Sequence, residues 1–234
     1  MYSKTIGLAL CAGSLFAVSV KDREAVDRRL DEAAVVFSEI MSAPDRAIPR
    51  DLLDKAHCAV IVPGEKKGAF IVGAQYGKGF ITCRGRFDRG WSAPAAIRIE
   101  GGSFGFQIGG SETDVVMLVM NDRGARRLVQ SQFTVGGVGE VAAGPVGRSA
   151  TAQTDAQFTA EILSWSRTRG VFAGVALKGA TLRQDKDDNE AMYRKQLGTR
   201  EVVAPGATHF TFAPTAAGRR FIAALDRSSP REKS

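Results

Sequence analysis

The stretch of this chain most suggestive of chemistry is GVGEVA, residues 137–142, which matches the dinucleotide-binding pattern G-x-G-x-x-A. An acidic residue follows about as many positions later as the one that binds the ribose in such sites. The pattern binds a pyrophosphate only when its last position opens a helix whose N-terminal amides face the phosphates. Here Gly144 and Pro145 follow at once and would interrupt a helix. The glycines therefore indicate strand bulges and close backbone contacts, not a nucleotide enzyme.

Other catalytic or metal-binding patterns are scarce. His57 and His209 lie far apart in sequence, and no thiolates or carboxylates accompany them at a recognisable metal-ligand spacing. The adjacent pair His57 and Cys58 would point to opposite faces of a strand. The G-x-S-x-G motif of serine hydrolases is absent from the sequence. The sequence therefore offers no obvious first choice of catalytic, metal-binding or cofactor-binding residue.

The N-terminal segment MYSKTIGLALCAGSLFAVSV has the layout of a secretory signal. Lys4 supplies the positive charge, the run from Thr5 to Val20 is uncharged, and small residues stand near its end. The run is too short to span a bilayer comfortably, although an uncleaved anchor remains the alternative. Lipid attachment at Cys11 is disfavoured because Leu10 occupies the place of the small residue that it requires. We therefore predict a signal peptide over 1–19 and export to the periplasm or cell envelope.

Removal of that segment would leave two cysteines, Cys58 and Cys83. Two interpretations remain open: the cysteines pair in an oxidising compartment, or they are small apolar residues buried on strands. We favour the second. The formal net charge of the chain is +7, which suits an anionic membrane or polymer as partner without choosing between them.

Apolar residues at three- and four-residue spacing predict a long helix from Asp22 to Met41, which Pro44 ends. Its opposite face carries charges of both signs, which suits a helix packed on its own domain. The alternative is a helix that lies on a bilayer with Phe37 and Ile40 downward. Further helices are predicted in IPRDLLDKAH, in NDRGARRLVQS with Asn121 as N-cap, in KDDNEAMYRKQLG ending at Gly198, and in PTAAGRRFIAALDR.

From Cys58 the hydrophobic period changes to two, and short segments rich in β-branched and aromatic residues alternate with glycine and proline. Gly64–Gly68 has the length and composition of a hairpin loop between the strands CAVIVP and AFIVGAQ. Regular helices do not separate these segments, which argues against βαβ units. We therefore predict an α+β fold whose antiparallel sheet, open or barrel-like, extends from about Cys58 to Leu182, with helices at both ends. The predicted regions are an amphipathic helix region over 20–49, the main domain over 50–228 and a charged tail over 229–234.

The order of these motifs resembles the SYLF family of lipid-binding domains. The resemblance covers about Arg50 to Asp226 and rests on FGFQIG followed by TD, on AAGPVGR, and on S-x-S-x-x-x-G-x-F-A-G. It implies a binding module and not an enzyme. Eukaryotic members bind phosphatidylinositol-containing membranes and some bundle actin, whereas for an exported bacterial member the resemblance implies lipid binding without these two ligands.

Basic side chains in the predicted loops are the candidate contacts for anionic lipid headgroups. Each cation near an anionic leaflet is worth about 1 kcal/mol, so about four together could hold a domain on a membrane. To act together they must lie on one side of the folded domain; the alternative is that they are ordinary solvated charges. The candidates are Lys66, Lys67, Lys78, Arg148, Arg167 and Arg169, with Arg84, Arg86 and Arg89 as a further cluster.

The sequence therefore predicts an exported, non-enzymatic membrane-binding module whose partner is an anionic membrane lipid. We expect no nucleic acid partner. The competing interpretation is a structural or protein-interaction protein of the cell envelope that has no lipid ligand.

Overall fold

The structure is a computed structural model that describes residues 20–43, 47–69, 73–85, 90–103, 109–134, 141–146, 160–168, 171–174, 179–205 and 211–229. The predicted signal peptide therefore lies outside the described residues. Within these ranges the helices are α1 (Val20–Ser42), α2 (Arg50–Lys55), α3 (Asp122–Leu128), α4 (Lys186–Tyr193), α5 (Thr199–Val203) and α6 (Ala216–Ser228). The strands are β1 (Cys58–Ala69), β2 (Gly73–Cys83), β3 (Ala95–Ser103), β4 (Gly109–Val119), β5 (Gln132–Thr134), β6 (Val141–Ala143), β7 (Ile162–Thr168), β8 (Val171–Gly174) and β9 (Ala180–Gln184). The predicted α+β class with flanking helices is confirmed.

The long N-terminal helix forms as its periodicity predicts, and it packs on its own domain. Its apolar stripe faces the sheet and α6, so the packing interpretation holds in this structure and the bilayer alternative does not. The buried residues of the stripe are Val26, Leu30, Ala33, Val36, Phe37 and Ile40.

Capping explains where the shorter helices begin and end. The Asn121 side chain accepts a hydrogen bond from the Gly124 N–H at 2.8 Å, which confirms the predicted N-cap of α3. The predicted end of α4 at Gly198 is wrong, because Arg194 takes a left-handed conformation (φ 57°) and ends the helix earlier. Gly198 instead precedes α5, where its N–H donates to the Glu201 carboxylate at 2.6 Å.

The predicted hairpin loop Gly64–Gly68 is not a loop, because β1 continues through it to Ala69. The strand carries a bulge where the register shifts, and Gly64 lies there with a φ of 59°. Glycine and charged residues signal a bulge as well as a turn, and pairing partners on both sides, β2 and β4, keep this segment extended.

The nine strands form one sheet in the order β5-β9-β3-β2-β1-β4-β7-β6, with β8 paired to β7. The sheet is mixed, which corrects the expectation of a wholly antiparallel one: β6 pairs with β7 in parallel register, Val141 opposite Ile162. Val141–Ala143 thus form a strand where a dinucleotide fingerprint requires a helix, in agreement with the exclusion of nucleotide binding.

Both faces of the sheet are buried near its centre. One face, here called the α1 face, packs Ile61, Phe80 and Trp165 against α1, α4 and α6. The opposite face carries a second apolar cluster that includes Val60 and Met117 together with residues of α3 and α5. Burial on two faces explains why the β1 sequence reads as a continuous apolar run at its start.

Cys58 and Cys83 form a disulfide between β1 and β2 with an S–S distance of 2.05 Å. They are direct cross-strand partners, and both are fully buried. The interpretation that we favoured from the sequence, two unpaired core cysteines, is therefore wrong in its chemistry although both residues do lie on strands. Register decides this, because it brings together two residues that are 25 positions apart.

Candidate functional site

A groove separates α1 from the bulged part of β1, and it collects most of the charged side chains that the sequence analysis singled out. It consists of two adjoining hollows of about 710 and 340 Å³ that share Glu32, Pro63, Gly64 and Glu112. We call it the α1–sheet groove. The exposed apolar side chain of Val35 lines the larger hollow.

Lys66 lines the smaller hollow and is exposed. It stands in the middle of three paired strands, opposite Tyr76 of β2 and Glu112 of β4. The Tyr76 side chain is itself 47% exposed and lines the same hollow. Lys66 is therefore an available cation beside an available phenol hydroxyl.

Lys78 lies in the same hollow, but carboxylates of the chain already hold its ammonium group. Its Nζ lies 2.8 Å from Asp185 Oδ2 and 3.0 Å from Asp188 Oδ1, at the N-terminus of α4. Arg29 of α1 reaches the other oxygen of Asp188 at 2.6 Å. Burial alone would lower the pKa of Lys78, but the hydrogen bonds to both aspartates raise it above its usual value. This cluster fastens α1, β2 and α4 together.

Arg167 lines the larger hollow and is similarly engaged. Its Nε and Nη2 lie 2.8 and 2.7 Å from Asp114 Oδ2 on the neighbouring strand, and its Nη1 contacts the Glu39 carboxylate of α1. Burial would lower the pKa of Arg167, but the bonds to Glu39 and Asp114 raise it further above its usual value. The second Asp114 oxygen accepts the Gly64 N–H at 3.0 Å, so this pair also fixes the bulge.

Of the six candidate lipid contacts, three can thus be placed, and all three lie on the α1 face at one groove. Lys67 lies in β1, but its side chain is outside the described part, and Arg148 and Arg169 lie outside the described residues altogether. Contact of these six residues with lipid stays a prediction.

Arg84, from the further basic cluster, has a structural role. Its guanidinium lies 4.2 Å from the centroid of the Trp91 ring and donates to the Leu53 carbonyl at 3.3 Å. Arg86 and Arg89 lie outside the described residues.

The sequence analysis missed two carboxylates, Glu32 and Glu112, that line both hollows. Both are exposed, and neither has a hydrogen bond or ion pair among the residues that the structure describes. The Glu112 carboxylate lies over Gly64, where an added Cβ would stand only 2.6 Å from Oε1. Sequence alone places them in an ordinary helix face and an ordinary strand, and only the register of β1 with β4 brings Glu112 to Lys66.

The AAGPVGR motif packs against the buried indole of Trp165. Gly144 lies against Trp165, whose Cε2 would be 2.0 Å from an added Cβ, and the Trp165 Nε1–H donates to the Pro145 carbonyl at 2.9 Å. The described part of the motif, residues 142–146, therefore has a structural role.

Across the residues that the structure covers, no three His, Cys, Asp or Glu side chains gather closely enough to hold a metal ion. Over those same residues, no helix has the length and hydropathy of a membrane span.

Comparisons with known proteins confirm the family that the order of the motifs indicated. Residues 100–228 match the model of the Ysc84 family, described as "Las17-binding protein actin regulator". Human SH3 domain-containing YSC84-like protein 1 is 34% identical over 170 residues, which are 71% of this chain and 49% of that protein. The LAS seventeen-binding protein 3 of Saccharomyces cerevisiae is 33% identical over 152 residues, which are 64% of this chain and 33% of that protein. The chain thus spans about half, or less, of the length of these relatives.

Proposed function

Because the chain belongs to the Ysc84 family, which is the SYLF family that its motifs resemble, we propose that it is an exported, non-enzymatic membrane-binding module. It binds phosphate-bearing anionic lipid headgroups through exposed basic side chains. Family membership is the observation that carries this proposal, since the resemblance implies a lipid-binding domain.

Lys66 is the structural support for headgroup binding. It is exposed at the α1–sheet groove and has no side-chain partner among the described residues. Lys78 and Arg167 are each paired with two carboxylates of the chain, so each would have to exchange a carboxylate for a lipid phosphate. We therefore expect Lys66 to contribute most among the three.

The buried disulfide supports export. Disulfides form and persist in oxidising compartments and are rare where thiols are kept reduced. The Cys58–Cys83 pair lies in the centre of the sheet and has no catalytic surroundings in the described structure, so a structural role fits it best. N-terminal sequencing of the protein isolated from its native envelope tests export, and a form that retains residues 1–19 would contradict the proposed cleavage.

Flotation with vesicles tests membrane binding. The purified chain is mixed with neutral or anionic vesicles, and we expect binding to the anionic ones that weakens steeply with salt, because exposed charges are screened beyond about 8 Å at physiological ionic strength. Lys66→Ala should weaken binding about fivefold, the value of about 1 kcal/mol per cation near the surface. Lys55→Ala is the matched control, because Lys55 is an exposed lysine at the end of α2, away from the groove. No binding to either vesicle at low salt would refute the proposal.

A second candidate function is protein binding. The family and the yeast relative are named for binding Las17, so relatives of this chain support a protein partner. In that case crosslinking in the native envelope recovers a defined protein, and the purified chain carries no lipid by native mass spectrometry. Retained lipid with no crosslinked partner would exclude this candidate in favour of the first.

A further inference from the structure

Among the residues that the structure describes, the α1–sheet groove offers more negative than positive charge to a ligand. Three of the four described cations that line it are already held by carboxylates of the same chain. The groove residues whose charges have no partner in the described part of the chain are Lys66, Glu32 and Glu112, one cation and two carboxylates. A ligand that carries only negative charge would meet repulsion from both carboxylates once it reached Lys66.

A ligand with an ammonium group next to a phosphate matches these charges. An ammonium donates up to three hydrogen bonds and pairs strongly with carboxylates, while a lysine is a common point-charge contact for phosphate. We propose that the groove binds a phosphoethanolamine group, with the ammonium at Glu32 and Glu112 and the phosphate at Lys66. This inference rests on the proposed membrane function and adds, at the groove, a zwitterionic headgroup to the anionic lipids that attract the domain to the membrane.

The positions of these side chains fit the two ends of such a ligand. Glu32 and Glu112 line both hollows, whereas Lys66 and Tyr76 line only the smaller one. Glu112 is the direct cross-strand partner of Lys66, so a carboxylate and the lysine stand side by side and can meet the two charges of one small headgroup. A volume of about 340 Å³ lies within the range of about 300–1,000 Å³ that is usual for small-ligand sites.

One feature of the backbone leaves space for the ammonium end. The Glu112 carboxylate lies over Gly64, where a side chain would collide with it, and the bulge that carries Gly64 is tied to Asp114 by a hydrogen bond of 3.0 Å. The missing side chain at Gly64 thus leaves room for the Glu112 carboxylate at the wall of the groove.

Vesicle binding at constant net charge tests the proposal. Vesicles of phosphatidylcholine with a fixed share of phosphatidylglycerol are compared with vesicles in which phosphatidylethanolamine replaces the phosphatidylcholine. Phosphatidylethanolamine should tighten binding about tenfold, the size of one charge-assisted hydrogen bond, because a choline group has no N–H to donate. Glu32→Gln and Glu112→Gln should each remove most of this preference. Glu24→Gln, an equal loss of charge on an exposed part of α1 outside the groove, should leave the preference intact.

Direct titration with soluble phosphoethanolamine separates the two sources of the group. Saturable binding of soluble phosphoethanolamine that Glu112→Gln weakens would show that the free zwitterion is sufficient for binding. A preference seen only with vesicles would assign the site to the lipid. Either result supports the proposal. Equal binding to both vesicle types, or equal losses in the Glu24 and Glu112 variants, overturns it and leaves anionic membrane binding intact. Binding to no vesicle and no soluble ligand defeats both proposals.

Discussion

Gly144→Ala should destabilise the protein because the new methyl group would occupy the space of the Trp165 indole. The added Cβ would lie 2.0 Å from Cε2 and 2.1 Å from Cζ2, where ordinary contacts are 3.4–4 Å. Trp165 is fully buried and cannot retreat without losing its hydrogen bond to the Pro145 carbonyl. Overpacking costs about 1–3 kcal/mol, and an unpaired buried donor costs about 1–3 kcal/mol more.

We therefore expect a loss of about 2–6 kcal/mol and a fall in Tm of about 4–24 °C. Urea unfolding followed by the change in tryptophan fluorescence measures the loss. The specific check is a double-mutant cycle, because Trp165→Leu removes the indole carbons that clash. In that background Gly144→Ala should cost less than about 1 kcal/mol. Equal costs in both backgrounds, or a wild-type Tm for Gly144→Ala, would refute the steric account of the motif.

Two further predictions concern pH and the disulfide. Burial raises the pKa of Tyr193, and hydrogen bonds to two aspartates raise the pKa of Lys78. Both groups therefore hold their protons more tightly in the folded chain than in the unfolded one. The stability that they contribute is complete below the unfolded pKa values of 10.0 and 10.5, and it is lost as pH rises through the higher folded values. The urea midpoint should therefore fall above about pH 10, and less steeply in Tyr193→Phe; a midpoint independent of pH there would contradict the ionisation argument. Replacing Cys58 and Cys83 by Ala should cost about 3 kcal/mol, as expected for a loop of 25 residues, and dithiothreitol should lower the Tm of the wild type but not of this variant. An unchanged Tm in both experiments would mean that the pair does not form.

The sequence was sufficient where one local signal dominates. The 3.6-residue period of α1 and the Asn121 cap predict their helices correctly, since both depend on residues within a few positions of each other. The bulge at Gly64 was mistaken for a turn because the same glycine preference serves both. Its true conformation depends on β4, which lies about 50 residues later in the chain and supplies the second row of hydrogen bonds.

The candidate site, too, was predicted only where local sequence signals were sufficient. Their basic side chains in predicted loops identified Lys66, Lys78 and Arg167 as candidates. The sequence could not show that only Lys66 lacks an ion-pair partner among the described residues, because the partners of the other two lie more than 50 residues away. Glu112 went unnoticed because an acidic residue in a strand has no local signature. The disulfide, too, depends on register and not on spacing.

The position of β1 and β2 in the middle of the sheet has a consequence for truncated versions of this protein. Both strands precede residue 100, where the match to the family model begins, yet they lie between β3 and β4 in the strand order. A fragment of residues 100–228 would keep β9 and β5 on one side and β4, β7 and β6 on the other, with nothing to join them. Two unpaired strand edges would then be open to self-association. The matched stretch is therefore not an autonomous folding unit, and soluble expression requires the strands that precede it.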